Sequence, residues 1–163
     1  TMIGLVKSGH NVAVSRTFSK IYGLAGQRIG YIISQPEVIQ SIIKNGTGHF
    51  SVSLTGLAGA ISSYNDQEFL NYSKSKIIEA REMINDAVAF NGLSALPSQT
   101  NFVFVNIGDL NANEFRDQMK QHGILIQGQY GSFKNWSRVS MGKIEDIQRY
   151  VDALPKVLDA LGN

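Results

Sequence analysis

The stretch SRTFSKIYGLAGQRIGY, Ser15 to Tyr31, gathers two kinds of chemistry within a few residues. Thr17 and Ser19 offer hydroxyl donors, and Arg28 offers a planar fork of N–H groups that can grip two oxygens of one anion. Gly23, Gly26 and Gly30 remove the side chains that keep a backbone away from a ligand. Together these make a phosphate cradle. Lys20 adds an amine beside it. A lone lysine in a loop is ordinarily a solvated charge, but cationic neighbours disfavour the ammonium form and favour a nucleophile that attacks carbonyls.

An amine next to a phosphate cradle suits pyridoxal phosphate, which presents an aldehyde to trap and a phosphate to anchor. Other phosphate motifs do not fit. The nucleotide P-loop pattern is absent, and the glycines of GLAGQRIG lack the dinucleotide-fold spacing. The 15 basic and 13 acidic residues leave a net charge of +2, and the basic ones are scattered along the chain. That distribution argues against a nucleic-acid partner. With no cysteine there is no disulfide or thiolate metal site, and His10, His49 and His122 are too far apart for a local ligand pattern, so no metal is expected. No run approaches the roughly 20 apolar residues of a membrane span, the opening TMIGLVKSGHN lacks the layout of a signal peptide, and a cytoplasmic location fits.

These groups need elements to position them. NVAV (Asn11 to Val14) and RIGYII (Arg28 to Ile33) read as strands buried on both faces, with the Lys20 loop between them. PEVIQSIIKNG reads as a short amphipathic helix opened by Pro36 and stopped by Gly46. SVSLTGLAGAISSYN, rich in small residues, reads as a buried helix, and the segment from Asp66 to Gly92 as a long one. Beyond it NFVFVNI, ILIQG and SRVSM read as strands, NANEFRDQMKQHG as a capped helix, and the last twenty or so residues as a helix that Pro155 bends or interrupts. The whole is an α/β chain with 43% hydrophobic residues, enough to bury a core.

SRTFSKIYGLAGQRIGY resembles the lysine segment of the fold type I pyridoxal-phosphate aminotransferases, class I and II, most closely the histidinol-phosphate aminotransferase branch. The likeness continues in PSQTNFVFV and in WSRVSMGKIEDIQRYVDAL. It implies that Lys20 bonds to the cofactor aldehyde and later moves a proton, and that Thr17, Ser19 and Arg28 hold the cofactor phosphate. Arg138 would receive a carboxylate or phosphate of the substrate, since a guanidinium can grip either; a strand arginine alone reads as an ion-paired residue. Asn101 matches the family as well, although an asparagine at a strand entrance reads equally as a turn residue. Tyr22, Tyr130 and Trp136 read as packing aromatics.

The resemblance further implies a carboxy-terminal portion of the fold. Residues 1–65 would end the sheet of the large cofactor domain, 66–92 form a connecting helix and 93–163 the small α/β domain. The implied activity is transfer of an amino group between an amino acid or amino-phosphate substrate and a 2-oxo acid, in a homodimer. The chain alone would transaminate poorly or not at all. The same fold leaves open a decarboxylase or lyase, or a non-catalytic binding module. One position departs from the branch: Gln127, in ILIQGQYGSF, stands where a second arginine is common.

Overall fold

The computed structural model describes residues 1–47 and 51–162, so His49 lies outside the described residues. The chain divides into two compact units, residues 1–73 and 74–163. Each is built around its own apolar cluster.

In the first unit, α1 (Ile3–Lys7) precedes β1 (Val14–Thr17), and β2 (Gly30–Ile33) pairs with β1 antiparallel, Val14 opposite Ile33 and Thr17 opposite Gly30. The first expected strand is thus displaced: only Val14 of NVAV joins the ladder, which continues through Ser15, Arg16 and Thr17. Nor are the strands buried on both faces, because Ser15, Arg16 and Thr17 are exposed and β2 alternates between half-buried and exposed positions. The pairing partner selects these polar residues through backbone hydrogen bonds, which apolar patterning cannot report.

Helices α2 (Pro36–Asn45), α3 (Leu54–Tyr64) and the start of α4 (Gln67–Phe90) follow. The Ser53 hydroxyl accepts from the Gly56 N–H and caps α3. The expectation that α3 is a buried helix is corrected: only Gly56 and Ala60 are buried, while Leu54 is 82% and Ile61 61% exposed. The buried stripe is the one made of small residues.

The second unit is a three-stranded antiparallel sheet in the order β3 (Ser94–Ala95), β4 (Phe102–Asn106), β5 (Trp136–Ser140), packed with α5 (Ala112–Gln121), α6 (Ile144–Leu161) and the later turns of α4. Alternation along β4 divides its side chains. Val103 and Val105 enter the core with Phe115, Met119, Leu154 and Val157, whereas Phe102, Phe104 and Asn106 lie on the other face. Asn111 caps α5 by accepting from the N–H groups of Asn113 and Glu114.

Two expectations change here. ILIQG forms a single bridge, Gln127 opposite Arg138, instead of a strand. Asn113 Oδ1 takes the Gln129 N–H at 3.1 Å, and a Cβ on Gly128 would sit 2.5 Å from that oxygen, so the chain leaves the sheet to meet α5. Pro155 does not interrupt α6, which runs on to Leu161 because the buried Leu154, Val157 and Leu158 hold both sides of it in the core. Among the described residues no helix is long and apolar enough to cross a membrane.

Tyr150 is buried, its hydroxyl has no hydrogen-bond partner among the described residues, and burial raises its pKa above the ordinary tyrosine value of 10.0. An unpaired buried hydroxyl costs about 1–3 kcal/mol. Tyr150→Phe is therefore expected to be as stable as the parent at pH 7, or more stable by roughly 1 kcal/mol. Because the raised value belongs to the folded state, the parent keeps full stability below pH 10.0 and loses it as pH climbs further, so the variant's advantage widens there. Urea unfolding at pH 7 and pH 10.5 checks this; a clear loss of stability in the variant at pH 7 would mean that the hydroxyl has a partner.

Candidate active site

The loop from Phe18 to Ile29 is shut at its base by its own ends. The Phe18 N–H donates to the Ile29 carbonyl at 3.2 Å, extending the β1–β2 ladder, and both side chains are buried with Ala60. The Phe18 ring packs on Tyr22 at 4.6 Å and Tyr31 at 5.6 Å between centroids. On either side of the buried Phe18, Thr17 and Lys20 are exposed and Ser19 is half-buried.

Inside the loop the hydrogen bonds are local. The Thr17 hydroxyl donates to Ser19 Oγ at 2.7 Å and accepts from the Ser19 N–H at 3.0 Å. This leaves the Ser19 hydroxyl proton available to an outside acceptor. Lys20 opens a turn closed by the Gly23 N–H on its carbonyl at 2.9 Å, with Gly23 at φ 69°, a conformation that favours glycine. Ser73 Oγ on α4 donates to the Ile21 carbonyl at 3.1 Å and ties the turn to its helix. Among the described residues the Lys20 ammonium has no hydrogen bond or ion pair.

Arg28 follows the short 3-10 turn Ala25–Gln27 with φ 51° and ψ 49°, the one non-glycine residue with positive φ among those described. Such a conformation costs about 1–2 kcal/mol, and strain of this kind concentrates where a side chain must be aimed. The guanidinium donates one N–H to the Ala25 carbonyl at 2.8 Å and is otherwise exposed. Small residues on α3 permit the close packing of this turn, since a Cβ on Gly56 would lie 2.9 Å from the Gln27 carbonyl oxygen. Burial first, and then Tyr31 and Tyr64, push the Tyr22 hydroxyl above its ordinary pKa, so Tyr22 serves as a neutral packing group at pH 7.

Ser19, Lys20 and Arg28 thus share one loop, and Thr17 ends the strand that enters it. Arg138 belongs to the second unit. It stands on β5 opposite Phe104 and, through the bridge, beside Gln127, so these side chains leave the same face of the sheet. Its guanidinium carbon lies 4.1 Å from the centroid of the Phe102 ring. Both residues line a pocket of about 280 Å³ with Leu96, Thr100 and Tyr130. Phe104 centres an aromatic group of Tyr130, Phe133 and Trp136, with Trp136 stacked on it at 5.0 Å. Trp136 therefore packs, whereas Tyr130 meets Phe104 edge-on, is 54% exposed and borders the pocket. Asn101 accepts the Met141 N–H with its backbone carbonyl at 2.9 Å. Sequence reasoning passed over Phe102; the signal was its two-residue spacing from Phe104 on an alternating strand.

Residues 1–154 match the family described as aminotransferase class I and II. The chain belongs to this family. It is similar to histidinol-phosphate aminotransferase 1 of Oceanobacillus iheyensis, with 31% identity over 96% of this chain and 45% of that protein. It is also similar to the histidinol-phosphate aminotransferase of Methanosarcina mazei, with 35% identity over 93% of this chain and 41% of the relative. The crystal structure of the Sinorhizobium meliloti histidinol-phosphate aminotransferase in complex with pyridoxal-5'-phosphate superposes with a TM-score of 0.82 at 38% identity, covering 93% of this chain and 42% of that one. The chain spans about half the length of the aminotransferases it matches, and the α/β fold is the one expected for the family.

Gly30 is where the loop returns to the sheet, and a Cβ there would lie 2.5 Å from the Arg16 carbonyl oxygen. Gly30→Ala is expected to lower stability by about 1–3 kcal/mol, whereas Gly26→Ala, with nothing within 4 Å and no positive φ, is tolerated. Urea titrations of the two variants would separate them; equal stabilities would show that the strand can yield at Gly30.

Proposed function

We propose that this chain is the Lys20-bearing part of a pyridoxal 5'-phosphate-dependent aminotransferase that moves an amino group between an amino acid or amino-phosphate substrate and a 2-oxo acid. The observation that carries the reading is the loop itself. Two hydroxyls, an unengaged amine and a guanidinium held on a strained backbone lie within the twelve residues from Thr17 to Arg28, a segment whose ends are joined at a buried base. This donor set fits an aldehyde carrying a phosphate. Thr17, Ser19 and Arg28 would hold the phosphate, with Ser19 giving its free proton and Arg28 its remaining N–H groups. Lys20 would hold the aldehyde carbon.

When bound, the cofactor supplies an electron sink for charge developing at the substrate Cα. Once the substrate's amine has taken its place on the aldehyde carbon, the freed Lys20 Nζ would take up the proton released at Cα, a role that requires an amine free of a competing carboxylate. Arg138 binds an anionic group of the substrate through the edge of its guanidinium. The neutral Gln127 beside it leaves a single positive charge at that position, which favours a carboxylate over a doubly charged phosphate. In the whole protein, residues 1–65 complete the large domain, 66–92 form the connecting helix and 93–163 the small domain. The whole protein works as a homodimer in the cytoplasm.

The test is an absorbance titration of the chain with pyridoxal 5'-phosphate, followed by borohydride reduction and peptide mapping. A new visible band and a pyridoxyl label on Lys20 are expected, both lost in Lys20→Ala. Arg28→Gln should weaken cofactor binding about tenfold or more, as expected for the loss of a charge-assisted contact. A label spread over surface lysines, undiminished in Lys20→Ala, would refute the assignment.

A further inference from the structure

We propose that Phe102 is a positioning residue for Arg138, its ring holding the guanidinium in a set orientation before any anion arrives. This deepens the reading of Arg138 as the receiver of the substrate's anionic group and rests on it.

The argument begins with charge. Arg138 is half-buried in a pocket with Leu96, Phe104 and Tyr130, yet no salt bridge among the described residues includes it. Its guanidinium carbon lies instead 4.1 Å from the Phe102 ring centroid, well within the roughly 6 Å range of a cation–π contact. The two kinds of partner have different consequences. A carboxylate would use up the N–H fork and cancel the charge. An aromatic face offsets the burial of the cation while leaving the N–H edge unspent. The guanidinium is thus restrained and still able to bind.

Strand register makes the contact dependable. Arg138 opposes Phe104 on β4, and Phe102 is two residues away on the same strand, so all three share a face and Phe102 reaches Arg138 across a diagonal. Val103 and Val105 project into the core on the opposite face and are fully buried, which keeps β4 from turning. The Ser98 and Thr100 hydroxyls both donate to the Phe102 carbonyl, at 2.6 and 3.1 Å, and fix the strand's entrance. A side chain oriented before binding loses less conformational freedom on binding, so the ring contributes affinity without touching the ligand.

The test follows the Arg138 side chain directly by ¹⁵N NMR of the chain, its Nε–Hε signal assigned by its loss in Arg138→Gln, with 2-oxoglutarate and inorganic phosphate as probes. In the parent, the ring is expected to shift the Hε signal upfield. Phe102→Leu should move that signal downfield and weaken 2-oxoglutarate binding about threefold to tenfold, and Phe102→Tyr, which keeps the aromatic face, should restore both. Thermal melts report any general loss of structure. If Phe102→Leu fails to fold, Phe102→Met, which keeps the bulk without the ring, makes the same comparison. An unchanged Hε signal and unchanged affinity without the ring, or a loss in Phe102→Tyr as large as in Phe102→Leu, would overturn the proposal. Should neither probe bind in a way that Arg138→Gln abolishes, the substrate role of Arg138 falls, and the Hε shift alone still decides whether Phe102 orients the side chain.

Discussion

The closure of the Lys20 loop by Phe18 and Ile29 is the constraint on which the candidate cofactor site depends. One backbone hydrogen bond and two buried side chains join the ends of a loop that would otherwise be free to wander, and loop closure of this kind opposes chain entropy. With the base shut, the polar residues on either side of Phe18 face outward, and the remaining turns are set by short-range hydrogen bonds. Gly30 is needed because the strand returns so close to the Arg16 carbonyl that no side chain fits. Arg28 then takes a left-handed backbone at the end of the returning turn, a local cost met by the packing of α3 behind it.

The second unit solves a different problem with the same economy. Alternation on β4 sends Val103 and Val105 into a core shared with α4, α5 and α6 and leaves Phe102 and Phe104 on the open face. Strand pairing places Arg138 on the same face as these rings, where the Phe102 ring stands in place of a carboxylate as its neighbour. The outcome is a cation whose hydrogen-bonding edge is unspent, in a pocket otherwise largely apolar. Asn113, by drawing the chain after Gln127 toward α5, limits the third pairing to one bridge and leaves Gln127 beside Arg138.

The first unit also shows why small residues recur in α3. Gly56 and Ala60 make its buried stripe, and their lack of bulk brings the helix against the turn that carries Arg28. The larger apolar residues, Leu54 and Ile61 among them, point elsewhere and are exposed. Hydrophobicity alone therefore ranks the faces of this helix in the wrong order, because what is selected at the turn is closeness of approach.

The family was legible in the order of residues, since SRTFSKIYGLAGQRIGY carries its chemistry in side chains a few positions apart. The helices at Pro36, Asn111 and Ile144 were legible for a related reason: caps, glycine stops and apolar periodicity act within one or two turns. Other features depended on contacts distant in sequence. The extent of β1 was decided by pairing with β2, the loss of the strand at ILIQG by Asn113, the continuity of α6 past Pro155 by burial on both sides, and the setting of Arg138 by Phe102. A sequence by itself determines what a residue can do and what its near neighbours favour. Which backbone groups find partners, and which ring comes to lie over which cation, is decided only when distant segments compete for the same hydrogen bonds and the same buried space.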